Sequence, residues 1–287
     1  MNAAELRQQC EKTIDTYKGG YFTDRPWLRQ AFHAVPRHHF VPDRVWAPER
    51  DADGRYPVLD RTRNPTEWLA AVYRPNWALI TQIADGTVSI DAGPTASNDF
   101  TASISSTAVV INMLHHLDPQ PGETTLEIGT GTGYSSALTA HRTGDHHLVT
   151  LELQPALAER ARTRLAELGC HPHVVCADGE QGYEHEAPYD RLISTVGVRE
   201  IPAPWLRQVK AGGLIITPLD TPMRCDALAW LRCDGEGGAE GGLITTLYFM
   251  KTRGQRGFRP WRETGWPTWP QWTLTVTPTE GQRLRTH

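Results

Sequence analysis

No stretch of the 287 residues is apolar for long enough to cross a bilayer, and hydrophobic residues make up 39% of the chain, so no membrane association is expected. The first eleven residues, Met1 to Glu11, are polar and of mixed charge; they lack the basic and apolar regions of a secretory signal. The five cysteines (Cys10, Cys170, Cys176, Cys225 and Cys233) are scattered and include no CxxC pair. Neither a disulfide framework nor a zinc knuckle is indicated, and a reducing cytoplasm is the expected location. Surplus positive charge is missing too. The net charge of −4 argues against a protein that lives on nucleic acid. Half of the twelve histidines occur as the neighbours His38-His39, His115-His116 and His146-His147. Adjacent side chains point apart on a helix or strand, so no metal site is expected. No internal repeat is seen, and oligomeric state is not readable.

What is present falls into three regions. Leu6, Cys10, Ile14 and Tyr17 predict an amphipathic helix over residues 2–18. Asp24 and Pro26 start a second, carrying Trp27, Leu28, Phe32 and Val35 and stopped by Pro36. Residues 47–66 read as irregular, Asn64-Pro65 opens a helix through Trp68, Leu69 and Val72, and residues 84–102 carry loop chemistry. Residues 105–117 predict a helix. From Thr124 onward, strands (124–128, 148–153, 173–176, 189–195, 214–218) alternate with helices (134–142, one from Pro155 to before Gly169, 202–209). This rhythm predicts an α/β fold with a doubly wound, mostly parallel sheet. Residues 227–232 and 243–250, joined by the glycine-rich 234–242, predict an antiparallel edge hairpin. The end of the chain is rich in Trp, Pro and Thr, with one further strand at 273–277. Trp261, Trp266, Trp269 and Trp272 are expected to fill a small satellite core. The expected domains are an N-terminal helical, substrate-side region (1–83), a cofactor-binding domain (84–254) and a C-terminal extension (255–287).

The chemical signal lies in Leu126-Glu127-Ile128-Gly129-Thr130-Gly131-Thr132-Gly133-Tyr134, between a predicted strand and helix. Glycines there let backbone approach a ligand closely, and helix N–H groups face it. The spacing is G-x-G-x-G, with Tyr134 where a dinucleotide fingerprint would want its third glycine. Two carboxylates sharpen the reading. Glu152 closes the second strand, 23 residues after Gly129, where it can accept both hydroxyls of a ribose. Asp178-Gly179 closes the third, placed to accept from an adenine amine. Ligands of open α/β sheets sit at the carboxyl ends of the strands, where all three elements fall. The plain alternative, solvated or capping carboxylates, accounts for each acid singly but not for the set.

The run Ala34-Val35-Pro36-Arg37-His38-His39-Phe40-Val41-Pro42 resembles the "VPR…FVP" signature of the protein-L-isoaspartate O-methyltransferase family. Residues 126–134 are similar to its cofactor loop, Ala177-Asp178-Gly179 to its "GDG", and Ala187-Pro188-Tyr189-Asp190 to its "APFD". Ile201-Pro202, Leu206, Gln208 and Gly212-Gly213 follow its later pattern, so the resemblance runs from about Ala31 to Gly254. It implies a Rossmann-like fold for S-adenosylmethionine-dependent methyl transfer, with S-adenosylhomocysteine as product. The implied cofactor residues are Glu127, Gly129, Thr130, Gly131, Gly133, Tyr134, Glu152, Leu153, Asp178, Gly179 and Thr195. Ser103-Ile104-Ser105-Ser106-Thr107 matches the family's Thr-Ile-Ser-Gln-Pro substrate element but replaces Gln-Pro. Ser105 is the catalytic candidate, and Ser103, Ser106, Thr107, Val196 and Gly197 are substrate candidates.

Together with Val72-Tyr73-Arg74, Leu79-Ile80-Thr81-Gln82, Thr195-Val196-Gly197-Val198, Phe249-Met250 and Arg253-Gly254, the replacement resembles a subgroup found with ribosomally made, modified peptides such as lanthipeptides and graspetides. That resemblance implies methylation of an aspartate in a precursor peptide, the ester then closing to a succinimide that persists or opens to isoaspartate. The alternatives are a repair-type protein-L-isoaspartate O-methyltransferase and a non-catalytic cofactor- or leader-peptide-binding module. Methylation of a nucleobase or amine is disfavoured. Ser194-Thr195-Val196-Gly197 stands where those enzymes often carry an Asn/Asp-Pro-Pro-aromatic stretch. A carboxylate acceptor is already ionised at neutral pH and needs no strong base. Ser105 is then read as a hydrogen-bond donor to it, or as the cap of the following helix.

Overall fold

The computed structural model describes residues 2–17, 20–221 and 225–256, together with the backbone strands of 272–277 and 281–286. Residues 1–254 form one compact unit and 255–287 a second. The first unit opens with helices α1 (Ala3–Asp15), α2 (Tyr21–Asp24), α3 (Pro26–Ala34) and α4 (Arg37–Phe40). Asn2 and Glu5 close a capping box on α1, which buries Leu6, Cys10 and Ile14 on one face. Extended Val35, ahead of Pro36, ends α3.

Strands β1 (Arg44–Trp46) and β2 (Val58–Asp60), helix α5 (Pro65–Val72), and strands β3 (Leu79–Ile83) and β4 (Phe100–Ile104) follow. The four strands form an antiparallel sheet in the order β2-β1-β3-β4. Its small core is Trp46, Tyr56, Ile80 and Ile83. From sequence this region reads as helices, irregular chain and loop. Strands of three to five residues show too few alternations to stand out among prolines and aspartates.

The main layer contains α6 (Thr107–Leu117), β5 (Thr125–Ile128), α7 (Tyr134–Thr143), β6 (Leu148–Glu152), α8 (Pro155–Glu167), β7 (His173–Cys176), β8 (Tyr189–Ser194), α9 (Ala203–Gln208), β9 (Val209–Asp220), β10 (Asp226–Cys233) and β11 (Ala239–Thr246). The sheet order is β11-β10-β9-β8-β5-β6-β7, with β5 to β9 parallel and β10 and β11 antiparallel. The expected mostly parallel sheet and its edge hairpin are both present. The hairpin differs in register, because the glycine-rich segment belongs partly to β11. Gly241 lies beside Leu231, and a Cβ on it would sit 1.8 Å from the Trp230 carbonyl oxygen. Only glycine lets the two strands approach this closely.

Alternation along the strands builds both faces of the sheet. Leu126, Ile128, Val149, Leu151, Leu192 and Ile215 join the core that includes Trp205 of α9. Ile193 and Ile216 turn the other way, into the core shared with α6, α7, α8 and the N-terminal helices. The chain starts in the middle at β5, runs outward through β6 to β7, then returns to β8 on the other side of β5. That reversal opens a crevice at the carboxyl ends of β5 and β8. Among the described residues no helix is long and apolar enough to cross a membrane. In the second unit, β12 (Trp272–Thr277) pairs antiparallel with β13 (Gly281–Thr286). Trp261, Trp266, Trp269 and the side chain of Trp272 lie outside the described residues.

Candidate active site

The loop after β5 is locked to the loop after β8. Gly129 has φ +91°, and a Cβ there would lie 2.6 Å from Thr195 Oγ1. Thr195 donates from Oγ1 to the Gly129 carbonyl (2.6 Å) and from its N–H to the Ile128 carbonyl (2.8 Å). Gly133 opens α7 with no side chain capping it, so the first turn of α7 meets the loop through its backbone.

Three residues of the loop motif point beneath it. Alternation sends Glu127 to the face covered by α7, opposite Leu126 and Ile128. There its carboxylate accepts from Ser136 Oγ and from Thr150 Oγ1 (2.7 Å), and Thr150 Oγ1 also meets Thr130 Oγ1 at 2.7 Å. Glu127 and Thr130 therefore brace the loop from below. Tyr134 is likewise buried, its ring 5.8 Å from that of Phe40. Sequence adjacency suggests cofactor contact for all three. Strand parity and helix phase bury Glu127 and Tyr134 beneath the loop.

Burial raises the Glu127 pKa above its usual value, and the hydroxyl donors of Ser136 and Thr150 oppose this. Below the ordinary glutamate range both the folded and unfolded forms are protonated, and no penalty arises. As pH climbs past it, the unfolded chain ionises first, and stability falls until the folded carboxyl ionises too. Glu127→Gln carries no such penalty. Its thermal midpoint relative to wild type should rise as pH climbs above the ordinary glutamate range, by at most about 1.4 kcal/mol of stability per pH unit. A pH-independent gap in melting curves would contradict this.

Glu152 sits at the carboxyl end of β6 and is 8% exposed. Its Oε2 accepts from Gly131 N–H (3.0 Å) and its Oε1 from Gln154 N–H (3.1 Å). Burial raises its pKa, opposed by these backbone donors and by the charge of Arg253. Leu153 next to it is 36% exposed. At the neighbouring strand end, exposed Asp178 accepts from Glu180 N–H (3.0 Å) and starts a turn over Gly179–Gln181. That turn lies on β5: a Cβ on Gly179 would be 2.4 Å from Ile128 Cγ2. Trp205 Nε1 donates to the Gly179 carbonyl (2.8 Å) and ties α9 to it.

The serine element comes from the other sheet. Ser103 lies in β4, its carbonyl oxygen 3.7 Å from where a Cβ on Gly131 would be. Ser106 occupies the cap position of α6 without a side-chain cap bond, and Thr107 is its buried first residue. Ser105 is half-buried and does not cap the helix, because α6 starts one residue later than the capping reading requires. After β8, Ser194 Oγ donates to the Val196 carbonyl (2.6 Å). Gly197 is held on both sides: its N–H reaches the Met250 carbonyl (2.7 Å), and its carbonyl accepts from Thr252 N–H (2.8 Å).

The structure thus gathers Gly129, Gly131, Glu152, Leu153, Asp178, Gly179, Thr195, Val196 and Gly197 at the strand ends, with Ser103 to Thr107 alongside. Sequence reasoning missed the polar ties between the two sheets. Gln82 Nε2 donates to Gln154 Oε1 (2.8 Å) and Gln154 Nε2 to Gln82 Oε1 (2.9 Å). Arg253 pairs with Asp85 at 3.1 Å. These partners stand far apart in the chain, and no spacing signals them.

Comparison with known proteins agrees with this picture. Residues 77–249 match the sequence model of protein-L-isoaspartate(D-aspartate) O-methyltransferase. A protein-L-isoaspartate O-methyltransferase of Methanopyrus kandleri is 39% identical over 217 residues, covering 75% of this chain and 78% of the relative. Protein-L-isoaspartate O-methyltransferase 2 of Archaeoglobus fulgidus is 36% identical over 162 residues, 55% of this chain and 72% of that protein. With the Staphylothermus marinus protein-L-isoaspartate O-methyltransferase the match is 40% over 130 residues, and the chain spans only 57% of that relative. A solved protein-L-isoaspartate O-methyltransferase superposes with a TM-score of 0.62 at 22% identity, over 87% of this chain and 65% of that one. A putative Plasmodium falciparum counterpart, in complex with S-adenosyl-L-homocysteine, superposes with a TM-score of 0.62 at 12% identity, over 88% and 99%. At these identities the two structures speak to the fold.

Proposed function

Because the chain belongs to the protein-L-isoaspartate(D-aspartate) O-methyltransferase family, we propose that it transfers a methyl group from S-adenosylmethionine to an isoaspartyl carboxylate of a protein or peptide. The observation that carries this is the joint between Glu152 and Gly131 at the strand ends, with the Ser105 element alongside. The residues present suit the cofactor. The backbone at Gly129 leaves no room for a side chain, and Glu152 is a buried carboxylate already accepting N–H groups. We assign Glu152 to the ribose hydroxyls, Asp178 to the adenine amine, and Gly129, Gly131, Gly133, Leu153, Gly179 and Thr195 to the walls of that pocket.

When bound, the sulfonium supplies the electrophilic methyl carbon. The chain's own task is to hold an ionised acceptor in line with it, and proximity accounts for much of the acceleration. Ser105 donates to the acceptor carboxylate, while Ser103, Ser106, Thr107, Val196 and Gly197 shape the acceptor side. The region up to residue 83 serves the acceptor side together with β4 and the Ser103 to Thr107 element, and most of the rest of 84–254 serves the cofactor.

The relatives' names favour an isoaspartyl acceptor, so the expectation of a modified precursor peptide gives way to the repair-type reading. One observation keeps the precursor reading as second choice: Ser106-Thr107 stands where the family's substrate element has Gln-Pro. Incubation with methyl-labelled cofactor and three acceptors separates the two: an isoaspartyl peptide, its aspartyl isomer and an RNA pool. Base-labile label on the isoaspartyl peptide is expected. Label on the aspartyl isomer alone would favour the second reading, and label on neither peptide would remove both. In the same assay Ser105→Ala should lower kcat roughly tenfold, the worth of one hydrogen bond.

A further inference from the structure

Arg37 is fully buried, and its guanidinium donates to four backbone carbonyls. Nε reaches Val72 (2.9 Å), Nη1 reaches Ser105 (2.7 Å), and Nη2 reaches Trp77 (3.4 Å) and Ile104 (3.5 Å). The guanidinium carbon also lies 5.2 Å from the centre of the Tyr134 ring. Val72 is the last residue of α5, where the helix dipole concentrates partial negative charge. Burying a cation costs several kcal/mol, and an apolar side chain of similar volume would fill the same space more cheaply. An apolar side chain cannot fix directions. A planar group with five donors in a rigid fork can hold separate chain segments at set angles to one another.

Two of those segments belong to the proposed reaction. Ile104 ends β4 and Ser105, the next residue, carries the hydroxyl assigned to the acceptor carboxylate, while Tyr134 is the first residue after the glycine loop. The same side chain therefore grips the acceptor element by its carbonyls and faces the base of the cofactor element. We propose that Arg37 is a positioning residue, setting the distance and angle between the acceptor held at Ser105 and the methyl donor above the glycine loop. This rests on the methyltransferase reading given above. It predicts a loss in turnover without a matching loss in cofactor binding, since Arg37 touches neither the Glu152 nor the Asp178 contacts.

The test compares Arg37→Lys and Tyr134→Leu with wild type on the peptide that wild type methylates. S-adenosylhomocysteine affinity is measured by calorimetry, and kcat and KM by methyl transfer. Lysine keeps the charge but offers a point donor in place of the fork. The expected result is kcat lowered roughly 10- to 100-fold, the cost of misplacement on the order of an ångström. Homocysteine-nucleoside affinity should stay within about threefold of wild type, and peptide KM should move less than kcat. Unchanged kcat in Arg37→Lys overturns the proposal. So does an affinity for S-adenosylhomocysteine that falls in step with kcat, which would mark a merely structural role. If Arg37→Lys fails to fold, Tyr134→Leu decides by the same criteria, because it removes the ring yet leaves the guanidinium bonds in place. Wild type that methylates no peptide removes the activity reading and this inference with it. An unimpaired variant beside an active wild type removes the inference alone.

Discussion

Glu152→Gln should bind S-adenosylmethionine and S-adenosylhomocysteine roughly 10- to 100-fold more weakly than wild type, with a loss of about 1–3 kcal/mol of stability where its amide NH2 faces Gln154 N–H. The amide keeps an oxygen that can accept from Gly131 N–H, so the loop retains its anchor. It loses the negative charge, and hydrogen bonds to charged groups contribute about 1.5–3 kcal/mol against about 1 for neutral ones. The site is largely shielded from water, with Glu152 8% exposed, so little of that difference is screened. Acidity should act on wild type in the same sense. Burial raises the carboxyl above its ordinary value of 4.5, and protonation removes the better acceptor. Wild-type affinity should therefore decline as pH falls toward that range, while the variant's stays flat. Calorimetric titration at several pH values checks both outcomes, and an affinity within twofold of wild type would separate Glu152 from the cofactor.

Gly129→Ala is the second large effect, and it falls on stability as well as binding. The backbone at φ +91° is left-handed, costing a non-glycine residue about 1–2 kcal/mol. The new methyl would also meet Thr195 Oγ1 at 2.6 Å and displace its bond to the Gly129 carbonyl, worth about 1 kcal/mol more. A total of about 2–3 kcal/mol corresponds to a fall of about 5–10 °C in Tm for a chain this long. Cofactor affinity should drop more than about tenfold, since the displaced junction lies in the proposed cofactor site. Gly122→Ala provides the comparison. Gly122 also has a positive φ, +80°, but nothing lies within 4 Å of its Cβ position. It should show the backbone cost alone and leave cofactor binding intact. Equal melting temperatures for the two variants would remove the clash from the argument.

The difference between those two glycines also shows what sequence can and cannot convey. The strands from β5 to β9 were legible because each is an apolar run closed by a turn, and the glycine motif marked the crevice. The placement of Glu152 and Asp178 was legible because one closes β6 and the other follows β7 by two residues. The burial of Glu127 and Tyr134 was not legible. They flank the loop in sequence, yet strand alternation and helix phase turn them inward onto Thr150, Ser136 and Phe40. The small sheet of β1 to β4 was invisible because its strands are short and their pairing is long-range. Arg37 stood inside a matched motif, but its task follows from carbonyls contributed by residues 72, 77, 104 and 105. Only folding brings those together.

The serine element hangs from one sheet and the acids from another, and this division has a consequence for how such a molecule diversifies. On the roles proposed above, mutations in the antiparallel layer would reshape what is modified while the nucleoside contacts stay untouched, so new acceptor preferences need not be won at the expense of donor capture. The clasp between Gln82 and Gln154 sets the limit, since drift in one layer beyond its reach would be transmitted directly to the backbone beside Glu152.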